Sequence, residues 1–379
     1  MAFDYKVYKS QRIVPLRFKR AVAGQPVLGK PDIDDRGFYR TTITAGNDHG
    51  HAVGVMEGNE SEIKVKRFRI DTAAELYVTS SDEATMKVTD SGGTDKLAAS
   101  TEATLKIKGV AGAAGTNPQT AKVEVRFGSK TGPIIGEISV WVFKKVTVKL
   151  TPHNVTIKTA TNAGIASAVN IANVINLVKA FWEPCGVDFL VDPIQNDTVT
   201  FANAGDVAWK PEVNTLLNTN YVPNSINCFF VNRIVITGSN GVLGLGISRP
   251  SMTSLSLSNP GIILGDNNVS GSARASDTHW LGNDLAHEIG HFFTLEHVDK
   301  KNSGATSRND LWAVRMLMHP NNTRGAQGNW RDDVGYGTQY RGGLITLKDL
   351  TDSSNAANHN TDGEALIARA VINGATGPY

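Results

Sequence analysis

Between residues 61 and 150, apolar and polar residues alternate in several short runs. Alternation with a period of two turns one face of a β-strand to a core and the other face to solvent. The runs are separated by clusters of Gly, Ser, Asp and Asn at 90–95 and 109–118, which are typical of turns. The pattern predicts an antiparallel β-sandwich with strands at 63–70, 85–88, 104–107, 121–127 and 137–143.

Beyond residue 150 the apolar positions follow a different spacing. In the segment 171–182 they recur three and four positions apart, which predicts a helix, and Pro184 and Gly186 mark its end. Three apolar runs then indicate strands at 187–191, 226–231 and 261–264. A further helix is predicted from about residue 281, after a cap at Asp277 or Thr278, and closing helices are candidates at 345–350 and 364–371.

The helix predicted from about residue 281 carries the candidate chemistry. His287 and His291 lie one turn apart on the same face, so both imidazoles can reach a single ion. Glu288 stands beside the first histidine, where its carboxylate can take the proton of a metal-bound water. His297 comes ten residues after His287, and ten helical steps rotate by roughly 280°, so the chain must turn back after His291 for His297 to ligate.

A second motif follows about twenty residues later, at Arg315–Pro320 (RMLMHP). Together with the segment 287–297, it resembles the metzincin zinc endopeptidases, whose pattern is H-E-x-x-H-x-x-G-x-x-H followed by a Met-turn. The resemblance covers residues 150–320 in architecture, but only 287–297 and 315–320 in motif. It implies a catalytic Zn²⁺ on three imidazoles, a glutamate as general base and a methionine packed beneath the ligands, at His287, His291, His297, Glu288 and Met318.

One position departs from the family pattern. The family glycine corresponds to Thr294, and glycine suits that place because the helix ends there in a turn, often at positive φ. A β-branched residue at positive φ costs on the order of 1–3 kcal/mol. Either the turn therefore has another geometry, or His297 is not the third ligand, in which case Asp299 or Glu296 replaces it.

These patterns divide the chain into three parts. Residues 1–60 form an N-terminal arm, an extra β layer or part of the sandwich. Residues 61–150 form the sandwich, which is similar in pattern to bacterial immunoglobulin-like modules although it has no signature motif. Residues 151–379 form the metzincin-like catalytic domain. The predicted fold is multidomain, with an all-β immunoglobulin-like sandwich followed by an α+β zinc-peptidase domain.

Charge and hydrophobicity limit the binding partners and the cellular locations to be expected for this protein. The net charge is +2, which gives no reason to expect a nucleic-acid partner. No apolar run approaches the roughly 20 residues of a membrane-spanning helix, so no membrane insertion is expected. We expect a protein that is secreted or delivered outside the producing cell. Because the N-terminus lacks the apolar stretch of a secretory signal, this requires a signal that has been removed or another export route, and a cytosolic protein also fits. Cys185 and Cys228 predict two buried free thiols.

The predicted function is zinc-dependent hydrolysis of peptide bonds in a protein or peptide substrate, with Glu288 as general base. An extended substrate gains main-chain hydrogen bonds at an edge strand, and Gly261-Ile262-Ile263-Leu264 is the candidate edge. Two alternatives stay open: a peptidase toxin or effector delivered by its β-sandwich region, and a non-catalytic binding module with a structural zinc site. The N-terminal β region is also a candidate surface for a docking partner.

Overall fold

The computed structural model describes residues 16–21, 33, 52–113, 117–236, 244–267, 278–295, 297, 317–318, 345, 347 and 364–374. These residues are mostly β-strand with few helices, as in a β-rich multidomain fold. They form two compact units. The first unit contains three groups of described residues: those up to Lys145, those in Ala180–Val187, and those from 317 to 366. The second unit contains the described residues of Val146–Lys179 and Asp188–His297, and those from 367 to 374.

The described strands of the first unit form two four-stranded sheets. One sheet is antiparallel throughout, in the order β1 (Leu16–Arg20), β3 (Glu60–Arg67), β6 (Glu102–Gly109) and β5 (Met86–Asp90). The other has the order β2 (Ala52–Met56), β8 (Ile134–Phe143), β7 (Gln119–Phe127) and β4 (Leu76–Ser80), with β2 parallel to β8. Both β1 and β2 come from residues 1–60, so this part of the chain supplies a strand to each sheet.

The alternating residues of these strands build one core. Ile63 of β3 and Leu105 of β6 lie in the same buried cluster as Val123 of β7 and Val140 of β8, so the cluster joins the two sheets as in a β-sandwich. Burial of such a side chain contributes about 1.5–3 kcal/mol relative to exposure. The strands predicted at 85–88, 104–107, 121–127 and 137–143 are confirmed in β5, β6, β7 and β8.

The strand predicted at 63–70 ends earlier, at Arg67. The side chain of Arg67 is buried, and burial lowers the pKa of its guanidinium although the charge of Asp71 raises it. The guanidinium donates hydrogen bonds to four main-chain carbonyl oxygens, those of Asp71 (3.0 Å), Thr72 (3.2 Å), Ala74 (2.9 Å) and Ala98 (3.0 Å). Because three of these carbonyls follow Arg67 closely in sequence, the chain bends around the side chain and leaves the sheet.

The described strands of the second unit form an eight-stranded mixed sheet. Its main path is β10 (Ile165–Ala166), β9 (Val146–Lys158), β14 (Ile226–Val235), β16 (Gly261–Asn267) and β15 (Gly244–Ile247). Two further strands, β11 (Val187–Val191) and β12 (Gln195–Thr200), pair with β9, and β13 (Asp206–Ala208) pairs with β14. Strand β15 is antiparallel to β16, whereas β14 is parallel to both β9 and β16. The strands predicted at 187–191, 226–231 and 261–264 are confirmed.

Five helices lie in the described part of the chain: α1 (Ile171–Trp182), α2 (Pro211–Asn218), α3 (Arg249–Leu255), α4 (Thr278–Phe292) and α5 (Glu364–Asn373). Helix α1 confirms the helix predicted at 171–182, and Gly186 follows it with a φ of 73°. Helix α4 confirms the helix predicted from about residue 281, and α5 contains the predicted 364–371, whereas most of 345–350 and the cap candidate Asp277 lie outside the described residues. None of the described helices is long and apolar enough to cross a membrane.

Both cysteines are free and buried, as the sequence predicts. Cys228 lies in the interior strand β14, where burial raises the pKa of its thiol because the thiolate would lose its hydration. This thiol is therefore neutral and unreactive at ordinary pH.

A buried polar network joins β9 to β12 and β14. His153 Nδ1 lies 2.7 Å from Asp197 Oδ2, and His153 Nε2 lies 3.1 Å from Asn227 Oδ1. The Nδ2 of Asn227 donates to the carbonyls of Val222 and Ser225, which fixes the amide orientation. Each ring nitrogen of His153 thus lies against a side-chain oxygen of a neighbouring strand, and the ring links the three strands.

The network also sets the charge of Asp197. Asn220 donates to its second carboxylate oxygen at 2.6 Å. Burial by itself raises the pKa of Asp197, but the hydrogen bonds from His153 and Asn220 and the charge of His153 outweigh burial and hold the pKa below its ordinary value. The carboxylate therefore stabilises the fold above its unfolded pKa of about 3.9, and this contribution is lost as the pH falls through the folded pKa.

We expect Asp197→Asn to lower the free energy of unfolding by about 3 kcal/mol near neutral pH, because a neutral amide replaces a buried carboxylate whose two oxygens are hydrogen-bonded to His153 and Asn220. The difference from the wild-type protein should shrink as the pH falls below about 4, where the wild-type carboxyl takes up its proton. Urea unfolding of both proteins across this pH range is the measurement. A gap that stays constant down to acid pH would contradict this role of the Asp197 charge.

Candidate metal centre

Three histidine side chains converge at the end of α4. His287 and His291 belong to successive turns of the helix, and His297 follows its end. The Nε2 atom of His297 lies 3.1 Å from Nε2 of His287 and 2.9 Å from Nε2 of His291. The ligand atoms of all three histidines lie within 4.8 Å of one another. The structure thus brings together the three residues that the sequence assigns to one ion.

The donor set fits a single metal ion. Two imidazole nitrogens bound at about 2.0–2.1 Å to a tetrahedral ion are about 3.3 Å apart, close to the 2.9 Å and 3.1 Å between these Nε2 atoms. His287 is buried, whereas His291 and His297 are half-buried, so the group lies at the edge of the interior with access to solvent. The three histidines can therefore hold a metal ion.

A main-chain carbonyl orients the middle ligand. His291 Nδ1 lies 2.8 Å from the carbonyl oxygen of Leu295. Because a carbonyl only accepts hydrogen bonds, Nδ1 carries the proton and donates, and Nε2 keeps the lone pair that binds metal. Hydrogen bonds of this kind fix the ring and the tautomer of metal-bound histidines.

The turn after α4 explains how His297 reaches the other two histidines. Thr294 has a φ of 65°, the left-handed conformation that the family pattern assigns to glycine. The Thr294 amide donates to the carbonyl of His291 and the Leu295 amide donates to that of Gly290, both at 2.9 Å. These two bonds form a Schellman motif, which ends the helix and reverses the chain. The turn therefore keeps the geometry expected for glycine, and His297 joins the group although threonine occupies the turn.

We expect Thr294→Gly to stabilise the protein by about 1 kcal/mol, because a left-handed L-residue costs about 1–2 kcal/mol and glycine's extra chain entropy offsets only part of the gain. The threonine side chain is exposed, so little packing is lost. The melting temperature should rise by about 2–4 °C with unchanged metal content. Thr294→Ala is the matched control: alanine keeps a Cβ atom, so this variant should gain less stability than Thr294→Gly. Equal effects of Gly and Ala would show that backbone strain is not the cause.

Glu288 follows His287 on α4, and its side chain contacts strand β15. Its Oε2 atom accepts a hydrogen bond of 2.7 Å from the Gly246 amide in β15. The side chain is half-buried, and it is not a member of the three-histidine group. The carboxylate of Glu288, one residue after His287 in sequence, is thus held by a strand of the same unit.

The edge strand predicted at Gly261-Ile262-Ile263-Leu264 is wrong. These residues belong to β16, which pairs with β14 on one side and with β15 on the other. Among the described strands, β15 ends the sheet order and packs against α4. The sequence pattern missed this strand because Gly244-Leu245-Gly246-Ile247 is short and half glycine. A clue was present in the two glycines spaced by two, which place both on one face of a strand.

The remaining predicted site residues are only partly described. Leu317 and Met318 are buried, and the other residues of the predicted Met-turn lie outside the described part of the chain. The packing of Met318 beneath the ligands stays a prediction. The alternative third ligands Asp299 and Glu296 also lie outside the described residues.

Comparisons with known proteins add no functional assignment. No family model matches the sequence, and no curated protein matches it. Among solved structures, WR4, a C. elegans MSP family member, has 16% identity and a TM-score of 0.18 over 24% of this chain and 91% of its own. A family 123 glycoside hydrolase from Clostridium perfringens has 10% identity and a TM-score of 0.18 over 46% of this chain and 36% of its own. A variant of the major pilin subunit of Bacillus cereus has 12% identity and a TM-score of 0.16 over 39% of this chain and 45% of its own. These TM-scores are too low to support any argument about the site.

Proposed function

We propose that this protein is a zinc-dependent endopeptidase. The observation that carries the proposal is the convergence of three histidine nitrogens within 4.8 Å, with Glu288 adjacent in sequence to the first histidine. Structural zinc sites are usually closed by four protein ligands, whereas catalytic sites have three and keep one position for water. The resemblance of residues 287–297 and 315–320 to the metzincin motifs supports the same assignment.

The side chains divide the chemistry between them. His287, His291 and His297 would hold the ion. A zinc ion bound there would supply a positive charge that could polarise the scissile carbonyl and lower the pKa of a bound water towards about 7. Glu288 takes the proton of the attacking water on a carboxylate oxygen and passes it to the departing amine nitrogen. Metal binding by three histidines does not need a carboxylate beside the first of them, and this favours catalysis over the alternative of a binding module.

We assign the outer edge of β15 to the peptide substrate. This strand lies beside Glu288 and ends the sheet order among the described strands. An extended peptide that adds to such an edge gains main-chain hydrogen bonds, and its scissile bond can reach the metal and the base together. Because backbone groups recognise backbone groups, we expect protein or peptide substrates in extended conformation.

Metal analysis combined with a protease assay tests the function. We expect the purified protein to contain one zinc ion per chain and to cleave denatured casein. Removal of the metal with 1,10-phenanthroline should stop cleavage, and added Zn²⁺ should restore it. Zinc-loaded protein that cleaves neither casein nor a random peptide library would instead favour the non-catalytic binding module. Delivery into another cell is a separate question, since a delivered effector and a secreted peptidase give the same result here.

A further inference from the structure

The two glycines of β15 are required by space rather than by backbone conformation. Neither Gly244 nor Gly246 has a positive φ, so an L-residue could adopt the backbone at both positions. They lie two positions apart and therefore on the same face of the strand, the face that meets α4. Something on the helix side therefore excludes a side chain at each position.

At Gly244 the excluded space belongs to the Glu288 side chain. A Cβ atom at Gly244 would lie 2.7 Å from Glu288 Cγ and 2.7 Å from its Oε1. These contacts are shorter than real Cβ atoms make, so an alanine there would displace the carboxylate. Only a flexible side chain has to move, and the strand and the helix can keep their places.

At Gly246 the excluded space belongs to the helix itself. A Cβ atom there would lie 2.5 Å from the main-chain oxygen of Glu288 and 3.1 Å from Cβ of His291. The same residue holds the carboxylate from the other side, because its amide donates to Glu288 Oε2 at 2.7 Å. This amide is rigid, since Gly246 pairs with Ile262 in the sheet, and hydrogen bonds to a carboxylate are stronger than those between neutral groups.

We propose that β15 is the positioning strand for Glu288: the absence of a side chain at Gly244 leaves the slot in which the carboxylate lies, and the Gly246 amide anchors Oε2 in that slot. Gly244 and Gly246 are thus positioning residues, and Glu288 remains the group that reacts. The inference rests on the proposed peptidase function, but the contact between strand and carboxylate can be tested without any activity.

A double-mutant cycle of stability tests the contact. Gly244→Ala should lower the melting temperature by about 2–4 °C when Glu288 is present, because the two side chains compete for one space. In the Glu288→Ala background the same change should leave the melting temperature unchanged or raise it, because alanine loses less chain entropy than glycine on folding. Gly261→Ala is the matched control: its Cβ would lie 2.8 Å from Leu217 Cδ2, so it should cost the same in both backgrounds. Equal losses for Gly244→Ala in both backgrounds would overturn the proposal.

Kinetics and metal content test the positioning. Gly244→Ala should keep one zinc per chain and the spectrum of the Co²⁺-substituted protein, while kcat for peptide hydrolysis falls about 10–100-fold. The KM should change by less than about threefold, because the loss concerns the reacting geometry and not substrate binding. A coupled stability cycle with unchanged kcat would refute positioning. If the wild-type protein cleaves nothing, the proposed function fails, and the stability cycle alone decides whether β15 fixes Glu288. Gly246→Ala is unsuitable for this test, since its Cβ would strike helix backbone.

Discussion

The Glu288→Gln variant is expected to bind zinc normally and to hydrolyse peptide bonds at least about 100-fold more slowly than the wild-type protein. Glutamine has nearly the same size as glutamate, and its Oε1 can still accept the hydrogen bond from the Gly246 amide. It cannot take a proton from water, so only the base function is lost. Single-turnover cleavage of a fluorogenic peptide, compared at equal zinc content, measures the effect.

Two companion measurements make this result specific. Metal analysis and circular dichroism should match the wild-type values, because Glu288 is not a member of the three-histidine group. Glu288→Asp keeps the acid but shortens its reach, and it should recover little activity if geometry matters as much as charge. Near-normal turnover in the glutamine variant would end the proposed mechanism.

Replacement of His297 by Ala is expected to weaken zinc binding by more than about 100-fold. This exceeds the loss of about 10–100-fold that follows mutation of a residue that only hydrogen-bonds to a metal ligand. His297 Nε2 lies 3.1 Å from Nε2 of His287 and 2.9 Å from Nε2 of His291, so the substitution removes one of the three nitrogen atoms that converge on the candidate metal position. Competition with a zinc-binding dye gives the affinity.

His279→Gln is the matched control, because His279 is a buried histidine of the same helix outside the three-histidine group. It should keep zinc. Retention of full zinc by His297→Ala, with loss in Asp299→Ala, would show that the third ligand is the aspartate.

The parts that the sequence predicts are those written into local spacing. Strand β7 alternates strictly, with Val123 and Val125 buried between half-exposed neighbours, and its position follows from that alternation alone. The pair His287 and His291 is equally local, since one helical turn places both rings on one face. Such features depend on a few neighbouring residues, so they can be predicted without knowledge of the rest of the fold.

The parts that it misses depend on pairing between distant segments. Whether Gly261–Leu264 is an edge or an interior strand is decided by β15, which the local pattern of β16 does not contain. The buried contact of His153 with Asp197 joins residues 44 positions apart, and neither residue has a recognisable spacing. At Thr294 the sequence leaves two outcomes open, because threonine disfavours the positive φ that a turn back to His297 requires. In the structure Thr294 adopts the positive φ, and two main-chain hydrogen bonds stabilise the turn.

All three histidines and the turn that joins them lie within the eleven residues 287–297. Closing so short a loop costs less chain entropy than gathering ligands from distant segments. Metal capture by these histidines would therefore be a local event, governed by the last turn of α4 and the left-handed Thr294 more than by completion of the eight-stranded sheet. By linkage, an ion that binds the closed turn and not the frayed one stabilises this end of the helix. A chelator should accordingly speed hydrogen exchange at the end of α4 first, while the strands of both units keep their protection.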